Sequence, residues 1–298
     1  MTNVYGVLLI GLGNIAMGYD LDRDDVTWTH MRAINRRKNF KVIAAIDTCV
    51  DTHDRFRKLT SAKVYRRIDD FLEDEHEPVD MVVISSPTIF HLEHYKKIKS
   101  LMPKLVLMEK PLVATGNELN LLMTEISSGP KVMVNLFRLY QGRLNEQLQN
   151  LASLGKCRIQ VNYSQTMIHN GIHFMSLIMR HFGKLLNQKS FMLQGVKVNQ
   201  YEFQLAQVIF QPSMANLDDN SMVVKSGQGT FYYLNGGRLF FFVDALHNKI
   251  EFNDHEFKHH MLNVYDQCLG VINGRNDDSL HLAYACHKIL TEPETHVA

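Results

Sequence analysis

Apolar runs alternate with segments of helical periodicity through the first third of the chain. Residues 4–10 form an apolar run that ends at Gly11, and residues 40–46 form a second run that ends at Asp47. Continuous apolar runs of this length are typical of strands buried on both faces, as in a parallel sheet. A helical pattern at residues 31–37 lies between them, so the segment predicts a βαβ unit.

The same alternation continues beyond this unit. Further strands are predicted at residues 63–65, 79–84, 105–108 and 131–136, and further helices at residues 54–59, 69–73, 91–99 and 117–126. Strands and helices in this order imply right-handed crossovers and a doubly wound parallel sheet. We therefore expect an α/β domain over residues 1–115.

The pattern changes in the second part of the chain, residues 116–298, which we expect to form a separate domain. Helices are predicted at residues 142–154, 172–182, 256–271 and 279–290. Residues 190–252 are rich in Phe, Tyr and Val in alternation with polar residues, with Asn235-Gly236-Gly237 as a hairpin turn. This stretch predicts an antiparallel sheet.

Composition and charge narrow the class of protein. With 45% hydrophobic and 21% charged residues the chain is an ordinary globular protein, and a net charge of +1 argues against nucleic acid as a partner. The four cysteines show neither CxxC nor Cys/His ligand spacing, so we expect no disulfide framework and no metal site. The first apolar run is too short for a signal or membrane helix, which favours a cytoplasmic protein without a membrane partner.

A glycine-rich turn follows the first predicted strand. Gly11, Gly13 and Ala16 match the GxGxxG/A fingerprint of Rossmann domains, with Asn14 and Ile15 as its variable positions. Gly11 permits a tight turn, Gly13 lets the backbone approach a pyrophosphate, and Ala16 allows close helix packing. An ordinary glycine turn is the alternative interpretation, but the buried strand before it favours a dinucleotide site.

The carboxylate at the end of the second predicted strand bears on the choice of cofactor. Asp47 lies farther from the glycines than the usual spacing of about 20 residues, because residues 18–29 resemble an insertion. A carboxylate at this position accepts hydrogen bonds from a ribose 2′-hydroxyl and repels a 2′-phosphate. The sequence thus favours NAD over NADP.

Two further polar segments follow later strands. They are Ser85-Ser86-Pro87-Thr88 with His91, and Glu109-Lys110-Pro111. Both lie where ligands bind in open α/β sheets, so they are candidate cofactor-binding residues. Lys110 is also the candidate catalytic residue, because a lysine in such a cleft exchanges a proton with a substrate hydroxyl. A solvated lysine in a turn is the alternative.

Together these motifs resemble the Gfo/Idh/MocA family of NAD(P)-dependent oxidoreductases, which act mostly on sugars and cyclitols. The resemblance rests on the Gly11 turn, Asp47, a variant of the family's Thr-Pro-Asn-x-x-His segment, and Glu109-Lys110-Pro111, which matches the family's EKP signature. It implies that Lys110 is catalytic and that the Pro111 bond shapes the nicotinamide pocket. It also implies an open, mostly antiparallel second domain, with one sheet face toward substrate and the other used for a homodimer or homotetramer.

The resemblance also marks a departure at the substrate motif. The family places an aspartate three or four residues before a histidine, whereas this chain has His169 and Asn170 before His173. His173 is a candidate general acid or base, because an imidazole titrates near neutral pH. His169 and Asn170 are candidate substrate-binding residues, although Asn170 cannot accept a proton.

Two more residues are singled out by their position. Arg138 is a candidate clamp for a substrate carboxylate or phosphate, with a surface role as the alternative. His30 ends the insertion, which resembles the branch of the family found with surface-polysaccharide genes. It is either a pocket residue or a histidine partly buried at a helix start.

Three functions are compatible with these features. The first is an oxidoreductase that transfers a hydride between the nicotinamide and a CH–OH carbon of a sugar-like or nucleotide-sugar substrate, with Lys110 and His173 as the catalytic residues. The second is a dinucleotide-binding sensor without turnover, favoured by loss of the aspartate. The third is a lyase or hydrolase that acts through transient oxidation with tightly held NAD.

Overall fold

The computed structural model describes residues 3–213, 220–252 and 255–291. By compactness the chain divides into two units, residues 1–136 with 259–284, and residues 137–258 with 285–298. The domain boundary expected from the sequence, between residues 115 and 116, divides the chain by expected function rather than by compactness. It stays a prediction.

The first unit contains a six-stranded sheet with the order β3-β2-β1-β4-β5-β6. Every strand pairs in parallel with its neighbours. The strands are β1 (Tyr5–Ile10), β2 (Phe40–Ile46), β3 (Lys63–Tyr65), β4 (Met81–Ile84), β5 (Leu105–Met108) and β6 (Val132–Val134). All residues of β1, β4 and β5 are buried. The doubly wound parallel sheet, with the strand order of a Rossmann fold, is confirmed.

Helices flank this sheet, as the alternating pattern predicted. They are α1 (His30–Arg36), α2 (Val50–Leu59), α3 (Ile68–Glu73), α4 (His91–Ile98), α5 (Gly116–Ser127) and, late in the chain, α9 (His260–Ile272). The glycine turn leads only into a short π-helical turn, Asn14–Gly18. A loop then runs to Thr29, whose side chain caps α1 by accepting the Arg32 amide.

The buried carboxylate of Asp20 closes that loop. It accepts hydrogen bonds from the Trp28 amide at 2.7 Å and from the Thr29 amide and hydroxyl at 3.0 and 2.7 Å. A buried carboxylate is stable only when donors of this kind surround it. The loop is therefore an ordered insertion, and it places His30 at the start of α1.

The second unit contains an eight-stranded sheet with the order β14-β13-β12-β11-β7-β10-β9-β8. The strands are β7 (Cys157–Tyr163), β8 (Leu185–Leu193), β9 (Val196–Phe203), β10 (Ala206–Pro212), β11 (Ser221–Ser226), β12 (Gly229–Leu234), β13 (Leu239–Asp244) and β14 (Lys249–Phe252). The β7–β10 pair is parallel and the other pairs are antiparallel. The mostly antiparallel sheet is confirmed, with its first strand earlier in the chain than predicted.

The second unit also contains helices. They are α6 (Gly142–Ser153), α7 (Ile172–Phe182) and α8 (His255–Lys258), followed by α10 (Ser279–Thr291), whose residues 279–284 belong to the first unit. The single helix expected at residues 256–271 is instead two helices, because the backbone leaves helical geometry at His259. Within the described ranges, none of the helices combines the length and apolarity needed to cross a bilayer.

Candidate functional site

The two glycines of the predicted fingerprint meet different surroundings. Gly11 has a φ of +91°, and a Cβ there would lie 2.5 Å from the Ser86 amide nitrogen. A Cβ on Gly13 would have no atom within 4 Å. Gly11 is thus required by the turn itself, whereas Gly13 leaves open space at the carboxyl end of β1, the space that a pyrophosphate needs. Asn14, which is exposed, and Ile15 begin the π-helical turn that follows.

Asp47 braces this turn from the end of β2. Its carboxylate accepts the Leu12 amide through Oδ2 at 2.6 Å and the Cys49 amide through Oδ1 at 2.8 Å. These bonds fix the carboxylate's orientation beside the glycine turn. Each carboxylate oxygen accepts more than one hydrogen bond, so a ribose hydroxyl still finds an acceptor here.

A cavity of 770 Å³ opens over the carboxyl ends of β1, β2 and β4. Six residues singled out from the sequence line it, namely Gly11, Gly13, Asp47, Ser85, Ser86 and Pro87. Its other lining residues include Cys49, Thr52, Arg66, Arg67, Asp69, Phe90, Glu93, His94 and Lys97. The structure thus brings the glycine turn, the carboxylate and the Ser-Ser-Pro segment together around one cleft.

Charged side chains at one wall of this cavity pair with one another. Asp69 lies 2.9 Å from the Lys97 ammonium and 3.1 Å from the Arg67 guanidinium. Hydrogen bonds from Lys97 and Arg67 lower the pKa of Asp69. The Ser86 hydroxyl lies 2.9 Å from His94 Nδ1, and burial lowers the pKa of His94. Sequence reasoning missed this wall, because its residues follow β3 and lie along α4, outside any motif.

Ser85 and His91 tie the polar segments to the sheet. The Ser85 hydroxyl donates to the Gly11 carbonyl at 2.9 Å. The buried His91 ring lies between two backbone carbonyls, Leu112 at 3.1 Å from Nδ1 and Ser86 at 2.9 Å from Nε2. Burial lowers the pKa of His91 and outweighs the opposite effect of these hydrogen bonds. His91 therefore joins the segment after β4 to the loop after β5.

The Glu109-Lys110-Pro111 segment follows β5, and the Lys110–Pro111 peptide bond is cis. Glu109 is buried, and its Oε1 accepts from His30 Nε2 at 3.1 Å and from Asn135 Nδ2 at 2.5 Å. Burial alone would raise the pKa of Glu109, but the hydrogen bonds and the neighbouring cations outweigh it and leave the pKa below its ordinary value. His30 thus lies fully buried beside the signature glutamate.

The segment with the candidate residues His169, Asn170 and His173 lies at the start of α7. Asn170 is in a π-helical turn, Met167–Gly171, and its Nδ2 donates to the backbone oxygen and hydroxyl of Ser164 at 3.1 and 2.9 Å. His173 is buried in the first turn of α7, with its ring centroid 4.8 Å from that of Phe137. His169 is exposed, with its Nδ1 2.6 Å from the Thr166 hydroxyl.

Arg138 is buried rather than on the surface. Its guanidinium lies 4.5 Å from the Phe137 ring centroid and 4.7 Å from that of Phe174. It donates to the Tyr233 hydroxyl at 3.2 Å and to the Gly236 carbonyl at 3.4 Å. The structure thus groups Arg138 and His173 around Phe137 in the second unit. Whether Arg138 contacts substrate stays a prediction.

Comparison with known proteins identifies the class of the first unit. Residues 5–136 match the model of a family described as an oxidoreductase family with an NAD-binding Rossmann fold. A search of curated proteins finds no match to the sequence.

Solved structures match the chain over almost its whole length. A dehydrogenase from Chromobacterium violaceum has a TM-score of 0.77 at 13% identity, over 97% of this chain and 94% of that one. The WlbA dehydrogenase of the same organism, in complex with NADH and UDP-GlcNAcA, gives 0.74 at 12% identity, over 97% and 92%. KijD10, a 3-ketoreductase from Actinomadura kijaniata in complex with NADP and TDP-benzene, gives 0.72 at 12%, over 97% and 96%. At these identities the likeness establishes the two-domain fold.

Proposed function

Because residues 5–136 of the chain belong to the Gfo/Idh/MocA family of oxidoreductases, with its NAD-binding Rossmann fold, we propose that the protein transfers a hydride between a nicotinamide dinucleotide and a CH–OH carbon of a sugar-like substrate. One observation supports this most directly. The glycine turn, Asp47 and the Ser85-Ser86-Pro87 segment line a single 770 Å³ cavity at the carboxyl ends of parallel strands, where nucleotides bind in such sheets.

The residues present fit a dinucleotide. The open space at Gly13 accommodates the pyrophosphate, and the Asp47 carboxylate accepts the hydroxyls of the adenosine ribose. The negative charge of Asp47 disfavours a 2′-phosphate, so we propose NAD rather than NADP as the preferred cofactor. When bound, the nicotinamide supplies the hydride chemistry, which no side chain supplies.

The chain's own residues handle the proton. Lys110 follows β5 next to a buried carboxylate, and we assign it the proton exchange with the substrate oxygen. We assign His173 an assisting role as a hydrogen-bond partner or second acid and base. Asn170, His169 and Arg138 are proposed to bind substrate hydroxyl or acidic groups.

The substrate class is a proposal drawn from similar folds. One of the similar proteins was crystallised with UDP-GlcNAcA and another is a 3-ketoreductase bound to TDP-benzene. We therefore propose a sugar or nucleotide-sugar of the kind used in surface-polysaccharide synthesis. Oxidation of one ring or chain hydroxyl, or reduction of the matching ketone, would be the reaction.

The test combines binding with turnover. NADH and NADPH are titrated by fluorescence, and sugars and nucleotide-sugars are then screened for absorbance change of the reduced nicotinamide. We expect NADH to bind more tightly, and Lys110→Met to lose at least about a hundredfold in kcat without losing NADH affinity, because it removes the proton-transfer group alone. Absence of affinity for either dinucleotide, after removal of any co-purified ligand, would refute the proposal.

A sensor without turnover is the second candidate function. It is favoured by Asn170, whose amide is hydrogen-bonded to Ser164 and cannot take a proton. Under this alternative, NADH binds but no substrate in the screen is oxidised or reduced, and Lys110→Met behaves as the unmodified protein does.

Location and assembly complete the proposal. The four cysteines are free thiols, three of them buried, which fits a reducing cytoplasm. The β12 and β13 strands place the stacked Tyr232 and Phe241 rings on the partly exposed sheet face. A homodimer or homotetramer would cover such a face. Light scattering coupled to size-exclusion chromatography measures the mass directly.

A further inference from the structure

We propose that His30 is a positioning residue of the active site: held between Tyr265 and Glu109, it fixes the orientation of the Glu109 carboxylate beside Lys110. The inference rests on the proposed role of Lys110 as the proton-transfer group. It gives a function to the insertion that precedes α1, because that loop places His30.

The contacts of His30 form a continuous chain inside the first unit. Its side chain is fully buried, with Nδ1 3.2 Å from the Tyr265 hydroxyl and Nε2 3.1 Å from Glu109 Oε1. Tyr265 lies on α9 and is buried as well. Asn135 Nδ2 donates to the same carboxylate oxygen at 2.5 Å. Glu109 is therefore held from two elements that lie far apart in sequence.

The direction of these hydrogen bonds fixes the tautomer of His30. Burial raises the pKa of Tyr265 well above its ordinary value, so its hydroxyl keeps its proton. Within residues 3–213, 220–252 and 255–291, that hydroxyl has His30 as its one hydrogen-bond partner. If Nδ1 carried a proton, the buried hydroxyl hydrogen would have no acceptor, which is costly. Tyr265 therefore donates to Nδ1, and Nε2–H donates to Glu109.

The carboxylate that receives this bond is the ionised form. Burial raises the pKa of Glu109, but the hydrogen bonds from His30 and Asn135 and the neighbouring positive charge together bring it below its ordinary value. The titratable groups that face Glu109 are His30 from α1, His91 from α4, Lys110 in its own loop and Tyr265 from α9.

The consequence concerns the charge of Lys110. An adjacent buried carboxylate stabilises the ammonium form, since an opposite charge favours the charged state of its neighbour. Lys110 then begins the reduction of a carbonyl as the proton donor. The Lys110 ammonium would give its proton to the carbonyl oxygen, a bound reduced nicotinamide would supply the hydride to the carbonyl carbon and become oxidised, and solvent water would reprotonate the amine.

The test measures Lys110 directly and needs no substrate. The protein without cofactor is pulsed with an amine-acylating reagent across the alkaline range, and labelling of Lys110 is quantified by peptide mass spectrometry. The plateau rate reports accessibility, and the pH of half-maximal rate reports the charge. We expect Glu109→Gln to label about tenfold faster than the unmodified protein at pH below the midpoint, because loss of one opposite charge shifts the midpoint by about one pH unit.

His30 variants then separate positioning from simple packing. His30→Leu is expected to label faster than the unmodified protein, because Glu109 loses the bond that holds it beside Lys110, whereas His30→Gln, which keeps an N–H donor toward Glu109, stays near the unmodified rate. The matched control is His287→Leu, a buried histidine of α10 in the second unit whose ring nitrogens have no hydrogen-bond partner among the described residues. It leaves Lys110 labelling unchanged. Labelling of His30→Leu at the unmodified rate, with NADH binding intact, would overturn the inference.

A measurement on the unmodified protein guards against variants that do not fold. Ring ¹⁵N shifts, with the His30 signals identified by their loss in His30→Gln or by selective labelling, distinguish the Nε2–H tautomer from the Nδ1–H tautomer and from the imidazolium. We expect a proton on Nε2, toward Glu109, and the Nδ1–H tautomer contradicts the inference. If the expected tautomer and labelling pattern are found but no substrate is turned over, the proposed function fails and the positioning network stands.

Discussion

Gly11 and Gly13 lack a side chain for different physical reasons. At Gly11 the backbone is left-handed, and an added Cβ would collide with the Ser86 backbone. At Gly13 the φ is −72° and the space around the missing Cβ is open. We therefore expect the first glycine to be needed for folding and the second for binding a dinucleotide in the cavity.

These two positions give a paired prediction. Gly11→Ala should lower the free energy of unfolding by about 1–3 kcal/mol or more, because an L-residue at this φ is strained and its Cβ has no room. Gly13→Ala should keep the stability, or raise it by up to about 1 kcal/mol, yet weaken NADH binding about tenfold. Thermal unfolding and NADH titration measure both effects. A Gly13→Ala protein with unchanged NADH affinity would place the pyrophosphate elsewhere.

We also expect single residues to decide the choice between NAD and NADP. Asp47→Asn keeps an oxygen acceptor for a backbone amide and removes the negative charge, while Arg66 lines the same cavity as a cation available to a phosphate. We expect the ratio of NADPH to NADH affinity to rise more than tenfold, about 1.4 kcal/mol. Fluorescence titration with both nucleotides is the measurement. An unchanged ratio would mean that Asp47 does not face the ribose.

At the scale of elements, the loop before α1 is closed by a defined set of hydrogen bonds. Asp20 closes it through three hydrogen bonds to Trp28 and Thr29, and Thr29 in turn caps the helix. The cap and the closed loop together fix the residue that follows, His30. We therefore expect this insertion to be an ordered part of the fold, in which substitutions that break the closure lower the stability.

Removing this closure should destabilise the first unit. We expect Asp20→Ala to lower the free energy of unfolding by about 2–3 kcal/mol, because several buried donors lose a charged acceptor. Asp22→Ala, at an exposed position in the same loop, is the matched control and should change stability by less than about 0.5 kcal/mol. Chemical denaturation measures both. Equal stabilities of the two variants would show that the hydrogen bonds of Asp20 do not contribute to the free energy of unfolding.

The same scale shows what sequence patterns reveal and what they miss. The strands of the parallel sheet were predictable because each is a continuous apolar run between turns. β7 was missed, although Cys157, Ile159, Val161 and Tyr163 alternate with polar residues and all four are buried. The glycine and EKP motifs indicated the part of the candidate site that lies in the first unit. The partners of Glu109 were not predictable, because no local pattern reports contacts with His30 at 79 residues' separation.

At the scale of the whole molecule, we expect histidines shielded from solvent to govern how stability responds to pH near neutrality. Burial lowers the pKa of His91 and His94 in the first unit and of His287 in the second. In the unfolded chain these groups titrate near pH 6.5. Between the lowered folded pKa and about 6.5, the unfolded chain therefore binds more protons than the folded one, and it is favoured as pH falls.

The free energy of unfolding should thus be at its full value above about pH 6.5 and decline as the pH drops toward about 5. Carboxyl groups with a lowered pKa, such as Glu109, add a further loss only below about pH 4.5, near the ordinary value of an unfolded glutamate. Denaturation midpoints measured at about pH 7.5 and about pH 5.5 isolate the histidine contribution. His287→Leu removes one of the three groups and should narrow the gap between the two midpoints. His281→Leu, at an exposed position on the same helix, should leave the gap unchanged. If His287→Leu and His281→Leu change the gap between the midpoints equally, burial of His287 does not contribute to the pH dependence of stability.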